Sequence, residues 1–461
     1  MSDDLSARER ELIAAVRAAP DDDAPRLVLA DFYAERGDPR GELIPIACAH
    51  ARAEDAAQRE QLRQGLASVL ERYDHGPSLH GPISRFVDLA INVRGLVEEV
   101  TLSLTQLAVA GGRLFEMAPI REMRLQGAAE TDAYTRAQLL AALAAEPGLA
   151  LVRRLDLSDD DFGARAIGEL LASPHLSSLR ELRFGDRDST VELAELVAAA
   201  APARLESLMC FGWHHATLGD AGARALAASE RLHNLRELQL INMRIGDAGA
   251  EALAGSESYG ATLEVLDLGD GRESRNVIGP RGARALGNAR QLERLHTLRL
   301  RANPLFDEGL AGLSEGRGLP RLATLHVDSC GIGDQGVIAL ARAPRLASLT
   351  RLELSRNRGI GARGVRELVY APRVAHLEQL DLNSTQPELE GVQAITSSPH
   401  LASLKKLSLY GCELGYAAGD ALCQWPGLEQ LALLAVGFNS FSPHAVKHLK
   451  QTLGQRVIID D

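Results

Sequence analysis

Aromatic residues make up only 4% of this 461-residue chain, and just four lysines (Lys405, Lys406, Lys447 and Lys450) stand among its 50 basic residues. Scarce aromatics argue against an interior built on Phe and Trp. The lysine shortage reads as the codon bias of a GC-rich bacterial genome. Cysteine is also rare: Cys48, Cys210, Cys330, Cys412 and Cys423 are odd in number, widely spread and without a C-x-x-C pair. That pattern argues against a disulfide framework or a paired-cysteine zinc site, and a reducing cytoplasm is expected. No uninterrupted run approaches the ~20 apolar residues that span a bilayer. The opening Met1–Arg8 carries Asp3 and Asp4 where a secretory leader would place basic and then apolar residues.

Excess positive charge is missing as well. Lys+Arg total 50 against Asp+Glu 62, a net charge of −12, which speaks against general nucleic-acid binding because that binding neutralises phosphates. The chain has no P-loop, no G-x-S-x-G and no H-E-x-x-H. The adjacent pair His214-His215 has no further ligands nearby in sequence, and Ser158-Asp159-Asp160-Asp161 reads as a solvated loop. No cofactor, no metal and no catalytic residues are expected.

What is abundant is leucine, 75 residues of 461. It is distributed with a period. The element L-x-x-L-x-L, with conservative replacements, starts at Val97, Ile120, Val152, Leu179, Leu205, Leu235, Leu263, Leu295, Leu322, Leu349, Leu377, Leu404 and Leu428. Thirteen copies at a spacing of about 28 residues are the mark of a solenoid. In Leu235–Ile245 the alternation points Leu238 and Leu240 inward from a short strand and Gln239 outward. Gly246-Asp247-Ala248-Gly249 then starts a helix for which Asp247 is the expected N-cap, with Ala250, Leu253 and Ala254 on its inner face. A single strand–helix unit cannot bury a core, whereas a stack of them can.

These units resemble the ribonuclease-inhibitor type of leucine-rich repeat, over about Leu96 to Asp461. The resemblance implies an α/β fold. It would be a horseshoe solenoid with a parallel sheet on its concave face and helices on its convex face. Asn303, Asn357, Cys330 and Cys412 fall where this repeat class packs or hydrogen-bonds a side chain beneath the strand turn. Residues 1–95 lack the repeat and read as a small all-α module and linker, with 96–461 as the solenoid of about 13 repeats, C-terminal cap included. The stretch Pro20–Ile44 resembles the "repeat-companion" domain found ahead of bacterial leucine-rich repeats, a module with no assigned chemistry. Asp21–Asp23 is read as helix capping and solvation, and Asp31, Glu35, Arg36, Asp38, Arg40 and Glu42 as a salt-bridged turn between helices. The module is expected to cover the open end of the first repeat.

With no catalytic motif, interest falls on side chains projecting from the concave strands. Met209, Phe211 and Ile241 are expected to share one exposed surface, with Trp213 and Met243 near its edge, the composition of a protein-binding hot spot. Next to it Arg299, Arg301, His326, Asp328, Glu353 and Arg356 form a mixed-charge lane, with Tyr410 further along. The expected function is a non-enzymatic cytoplasmic scaffold that binds a protein partner on this face, without nucleic acid or membrane. A regulator of a partner enzyme, either an inhibitor or a GTPase activator, is the alternative.

Overall fold

Strands and helices alternate along the chain, and in each strand the leucines of the repeat point to one side. The computed structural model describes residues 5–73, 79–127, 131–185, 187–212, 215–269, 276–343 and 347–459. The chain divides into two compact units, Met1–Asp188 with Ala200–Leu205, and Ser189–Ala199 with Glu206–Asp461. The 95/96 border expected from sequence therefore lies inside the first unit.

The first unit opens with four helices, α1 (Ala7–Ala18), α2 (Ala24–Ala34), α3 (Arg40–Arg52) and α4 (Ala56–Arg72). Its sheet runs β1 (Leu89–Val93), β2 (Leu96–Ser103), β3 (Glu122–Gln126), β4 (Arg154–Leu157) and β5 (Glu181–Phe184) in sequence order. All neighbours are parallel except β1, which forms an antiparallel hairpin with β2. That hairpin was not foreseen, because Leu89–Val93 precedes the first repeat and has no periodic partner in sequence.

The module is fastened to the repeats by ion pairs. Arg26 of α2 and Glu98 of β2 pair at 2.5 Å with side chains 0% and 3% exposed. Asp21 receives Arg121 at 2.7 Å and Arg153 at 2.8 Å, and these two guanidinium bonds hold its carboxyl down at about 2. Asp23 pairs with Arg94 and Arg52. The acidic triplet is thus an arginine clamp rather than a solvated cap; only Asp22 caps, accepting from the Ala24 amide. In the turn between helices, Arg40 bonds Asp38 and Glu9 and lies over the Tyr33 ring, while Asp31 stays at the surface.

The second unit continues with β6 (Ser207–Phe211), β7 (Glu237–Ile241), β8 (Val265–Asp267), β9 (Thr297–Arg299), β10 (Thr324–His326), β11 (Arg351–Glu353), β12 (Gln379–Asp381), β13 (Lys406–Ser408), β14 (Leu433–Ala435) and β15 (Val457–Ile458). All are parallel and follow sequence order. Register stacks Leu208, Leu238, Leu266, Leu298, Leu325, Leu352, Leu380, Leu407 and Leu434 into one buried row. In both units the sheet is the strand layer of a leucine-rich-repeat solenoid, with a helix between most successive strands.

The last repeat is in a different phase from the one read in sequence. Leu434 is buried and aligns with Leu407, so this unit begins at Leu431 rather than Leu428. A 3₁₀ turn at Leu428–Gln430 mimics the i, i+3 spacing of the repeat and caused the offset.

Two side-chain ladders tie one repeat to the next. In the first, Asp307 Oδ1 accepts the amides of Gly333 at 2.7 Å and Gly336 at 2.9 Å, and Asp334 does the same for Gly361 and Gly364. Asp220 and Asp247 act likewise on the following helix. Asp247 is therefore not the cap of its own helix, as the sequence suggested, but of the next. This explains the recurring G-D-x-G: a Cβ at Gly336 would stand 2.8 Å from the Asp307 oxygen that caps it.

In the second ladder, the Asn357 carboxamide accepts from the amides of Cys330 and Ile332 in the previous repeat and donates to Val327 and Leu354 carbonyls. Asn276, Asn303 and Asn439 repeat the pattern. Cys330 and Cys412 direct their thiols to the carbonyls of Leu300 and Leu382, the buried structural role expected of them.

In Ser158–Asp161, Asp159 pairs with Arg124 and Asp160 accepts from Gly127, so the loop is engaged rather than merely solvated.

Two stability tests follow from these contacts. Asn357→Ala strands at least two buried amides and should cost about 3 kcal/mol in urea unfolding. Arg26→Met removes the shortest of three guanidinium contacts to buried Glu98, leaving Arg121 at 3.4 Å and Arg94 at 3.9 Å, and should cost about 1–3 kcal/mol, concentrated in the first unit.

Candidate functional site

Between each pair of inward leucines one side chain faces the open side of the sheet. Parallel register sets these side chains in a row: Met209, Gln239, Asp267, Arg299, His326, Glu353, Asp381 and Ser408. Two residues further along each strand lies a second row, Phe211, Ile241, Gly269, Arg301, Asp328, Ser355, Asn383 and Tyr410. Position in the repeat alone fixes who neighbours whom.

The apolar part of the expected surface is assembled only partly. Phe211 and Ile241 are register partners and both are half-buried, as is Met209. Met243 is fully buried, since it occupies the site beneath the turn used by Asn303 and Cys330 in later repeats, so it cannot edge an exposed patch. Trp213 and His214 lie outside the described residues.

The charged lane is assembled in full. Arg299 faces Asp267 at 3.5 Å, Arg301 Nε donates to Asp328 at 2.8 Å, and His326 Nδ1 meets Glu353 Oε2 at 3.2 Å. Arg351 also bonds Glu353, a partner sequence reading passed over because it precedes the inward leucine. Arg301, His326, Asp328, Glu353, Arg356 and Tyr410 line a shared concavity of about 350 Å³, with Ser355, Asn383 and Ser384 completing it.

Asn383 is the organiser that sequence reading did not single out. Its Oδ1 accepts from the Tyr410 amide at 2.7 Å and from the Ser408 hydroxyl, and its own amide donates to Asp381. Its position in the second row was the available signal.

Arg356 is exposed, and its guanidinium has no ion-pair partner among the described residues. The backbone there is left-handed, with φ +57°, as it is at the same repeat position in Ala302, Ser329, Ser384 and Phe438. This twist turns each amide toward the next strand, where Arg356 N–H meets the Asn383 carbonyl at 2.7 Å. Holding a side chain there costs about 1–2 kcal/mol per residue. Tyr410 packs against Phe438, ring centroids 5.0 Å apart, and Phe438 is itself 70% exposed.

Burial sets the protonation of the lane. It lowers His326, and Arg351, Arg299 and Arg301 push further the same way against Glu353, so the ring is neutral at pH 7. Asp328 is raised by burial, against the pull of Arg301. Asp381 is pushed up to about 6 by burial, with Glu353 and Asp328 adding repulsion. The site can therefore offer an exposed guanidinium, a neutral imidazole and closely spaced carboxylates on one surface.

Three segments, 231–254, 322–341 and 345–369, match the family described as Leucine Rich repeat. The chain thus carries leucine-rich repeats by sequence as well as by fold. No curated protein matches the sequence.

Among solved structures, it is similar to a chain of the Rad7 and Elc1 complex of yeast, at 19% identity over 70% of this chain and 81% of that one, TM-score 0.45. An internalin (inlF) of Listeria monocytogenes is similar at 18% identity over 79% and 86%, TM-score 0.45. A chain of the mouse RP105/MD-1 complex is similar at 16% over 77% and 56%, TM-score 0.42.

Asp381→Asn gives a pH test. A carboxyl whose folded pKa is raised loses stability as pH climbs from its unfolded value near 4 to about 6. The variant keeps an acceptor for the Asn383 amide and should flatten that slope, gaining about 2 kcal/mol at pH 7 in urea unfolding. No change in slope would contradict the assignment.

Proposed function

We propose that this chain is a non-enzymatic scaffold that holds a partner protein on the strand face of its second unit. The observation that carries the proposal is the concavity around Arg356. There an exposed guanidinium with no ion-pair partner among the described residues, the Tyr410–Phe438 aromatic pair and the paired lane of Arg301, Asp328 and Glu353 lie together on the sheet. Interfaces draw their binding energy from aromatic and arginine anchors rimmed by polar groups. Phe211 and Ile241 form a second, apolar contact region on the same unit.

The reading extends to a cytoplasmic bacterial protein with ribonuclease-inhibitor-type repeats and an N-terminal repeat-companion module. Four of the five cysteines are buried free thiols, which suits a reducing compartment. No helix of the described residues is long and apolar enough to cross a membrane. Regulation of a partner enzyme is a narrower form of the same reading. Unchanged turnover of the captured enzyme at saturating scaffold would reject it.

Arg356→Glu combined with Tyr410→Ala removes the exposed guanidinium and one ring of the Tyr410–Phe438 pair, and should lower unfolding stability by no more than about 2 kcal/mol with the fold retained by circular dichroism. Partners recovered with the wild-type chain and then purified should bind the double variant at least tenfold more weakly by calorimetry. Equal affinity would remove the concavity from the binding surface, and Phe211→Ala with Ile241→Ala would then test the apolar region.

A further inference from the structure

His326 and Asp328 stand two residues apart and face the same side of the sheet, and parallel register places Glu353 beside His326. One ligand-competent atom from each of the three lies within 4.8 Å of those of the other two. The sequence shows no metal motif here because the third residue comes from the next repeat, at a spacing that no local pattern captures.

The surroundings are those of an incompletely satisfied polar site. His326 Nε2 is buried and has no hydrogen-bond partner, a state that costs free energy in an interior. Nδ1 is the nitrogen that meets Glu353, so Nε2 is the ring nitrogen left without a partner. The Asp328 side chain is only 8% exposed, and Asp381 lies next to Glu353 in register, so carboxylates are crowded in a partly dry place.

Arg301 and Arg351 now offset this negative charge, but their side chains are 48% and 44% exposed. Ion pairs made by such exposed arginines are weak, so both can swing to solvent when a stronger cation arrives.

We propose that His326, Asp328 and Glu353 form a site for a zinc-class divalent ion. One imidazole and two carboxylates are a mixed nitrogen–oxygen set that suits zinc, whereas magnesium and calcium take oxygen ligands. Zinc–ligand bonds of about 2.0–2.2 Å require the three donors to draw together, which rotation of the Glu353 side chain can supply. Water fills the remaining position. The site does not depend on whether a protein occupies the same face.

The test is calorimetric titration of zinc alone into the full chain in chelator-free buffer at pH 7.5, with magnesium run in parallel. One equivalent of zinc should bind with micromolar or tighter affinity, and magnesium should not bind. His326→Gln and Asp328→Asn should each weaken zinc binding at least tenfold. Arg351→Gln removes the cation that competes for Glu353 and should tighten binding severalfold, a response that adventitious uptake elsewhere would not show.

Circular dichroism confirms folding of each variant; if Asp328→Asn is unfolded, His326→Gln and Arg351→Gln decide. Absence of saturable zinc binding in the wild type overturns the proposal. So does binding unaltered by His326→Gln, which assigns the zinc to other histidines or thiols.

Discussion

A solenoid built from strand–helix turns has a structural problem at every corner. Each turn leaves amides and carbonyls that the turn itself cannot pair, and water is excluded from much of that region. In this chain a neighbouring repeat supplies the missing partner. Asp307 and Asp334 finish the start of the following helix, and Asn357 and Asn439 finish the turn of the preceding strand. The leucine row provides most of the burial, but leucines tolerate many packings. The carboxylate and carboxamide contacts have direction and distance, and they fix each repeat against the next. The orientation of the outward side chains, including the charged lane, depends on that spacing.

The same logic explains what sequence reading captured. Alternation alone points Leu238 and Leu240 inward, and position in the repeat then places Arg301, His326, Asp328 and Glu353 in one lane. Translational repetition makes remote residues neighbours without any three-dimensional calculation. Where repetition was broken or imitated, reading failed. The 3₁₀ turn at Leu428–Gln430 borrowed the spacing of a repeat and shifted the phase of the last strand. Met243 looked like a surface anchor because one methionine among polar residues gives no sign that it fills the cavity beneath a turn.

Contacts between non-equivalent parts were also out of reach. Nothing in Pro20–Pro25 announces that Asp21 meets Arg121 and Arg153, since these pairings join a unique module to repeats roughly one hundred residues away. Asp247 was correctly chosen as a capping residue and assigned to the wrong helix. Local propensity identifies the type of bond but not the recipient when the recipient lies in the next turn. The role of Asn383 similarly required the positions of Asp381, Ser408 and the Tyr410 amide together.

The two ladders run in opposite directions along the chain, and this gives the polypeptide a sense of time. As it leaves the ribosome, each of these helices emerges after the aspartate that caps it, so its start can be completed at once. A strand turn must wait for the asparagine or cysteine of the following repeat. A growing chain therefore carries one unfinished turn at its advancing edge, closed by each new repeat and opened again one step further on. Assembly from the N-terminal end is favoured by chemistry that the finished molecule still displays.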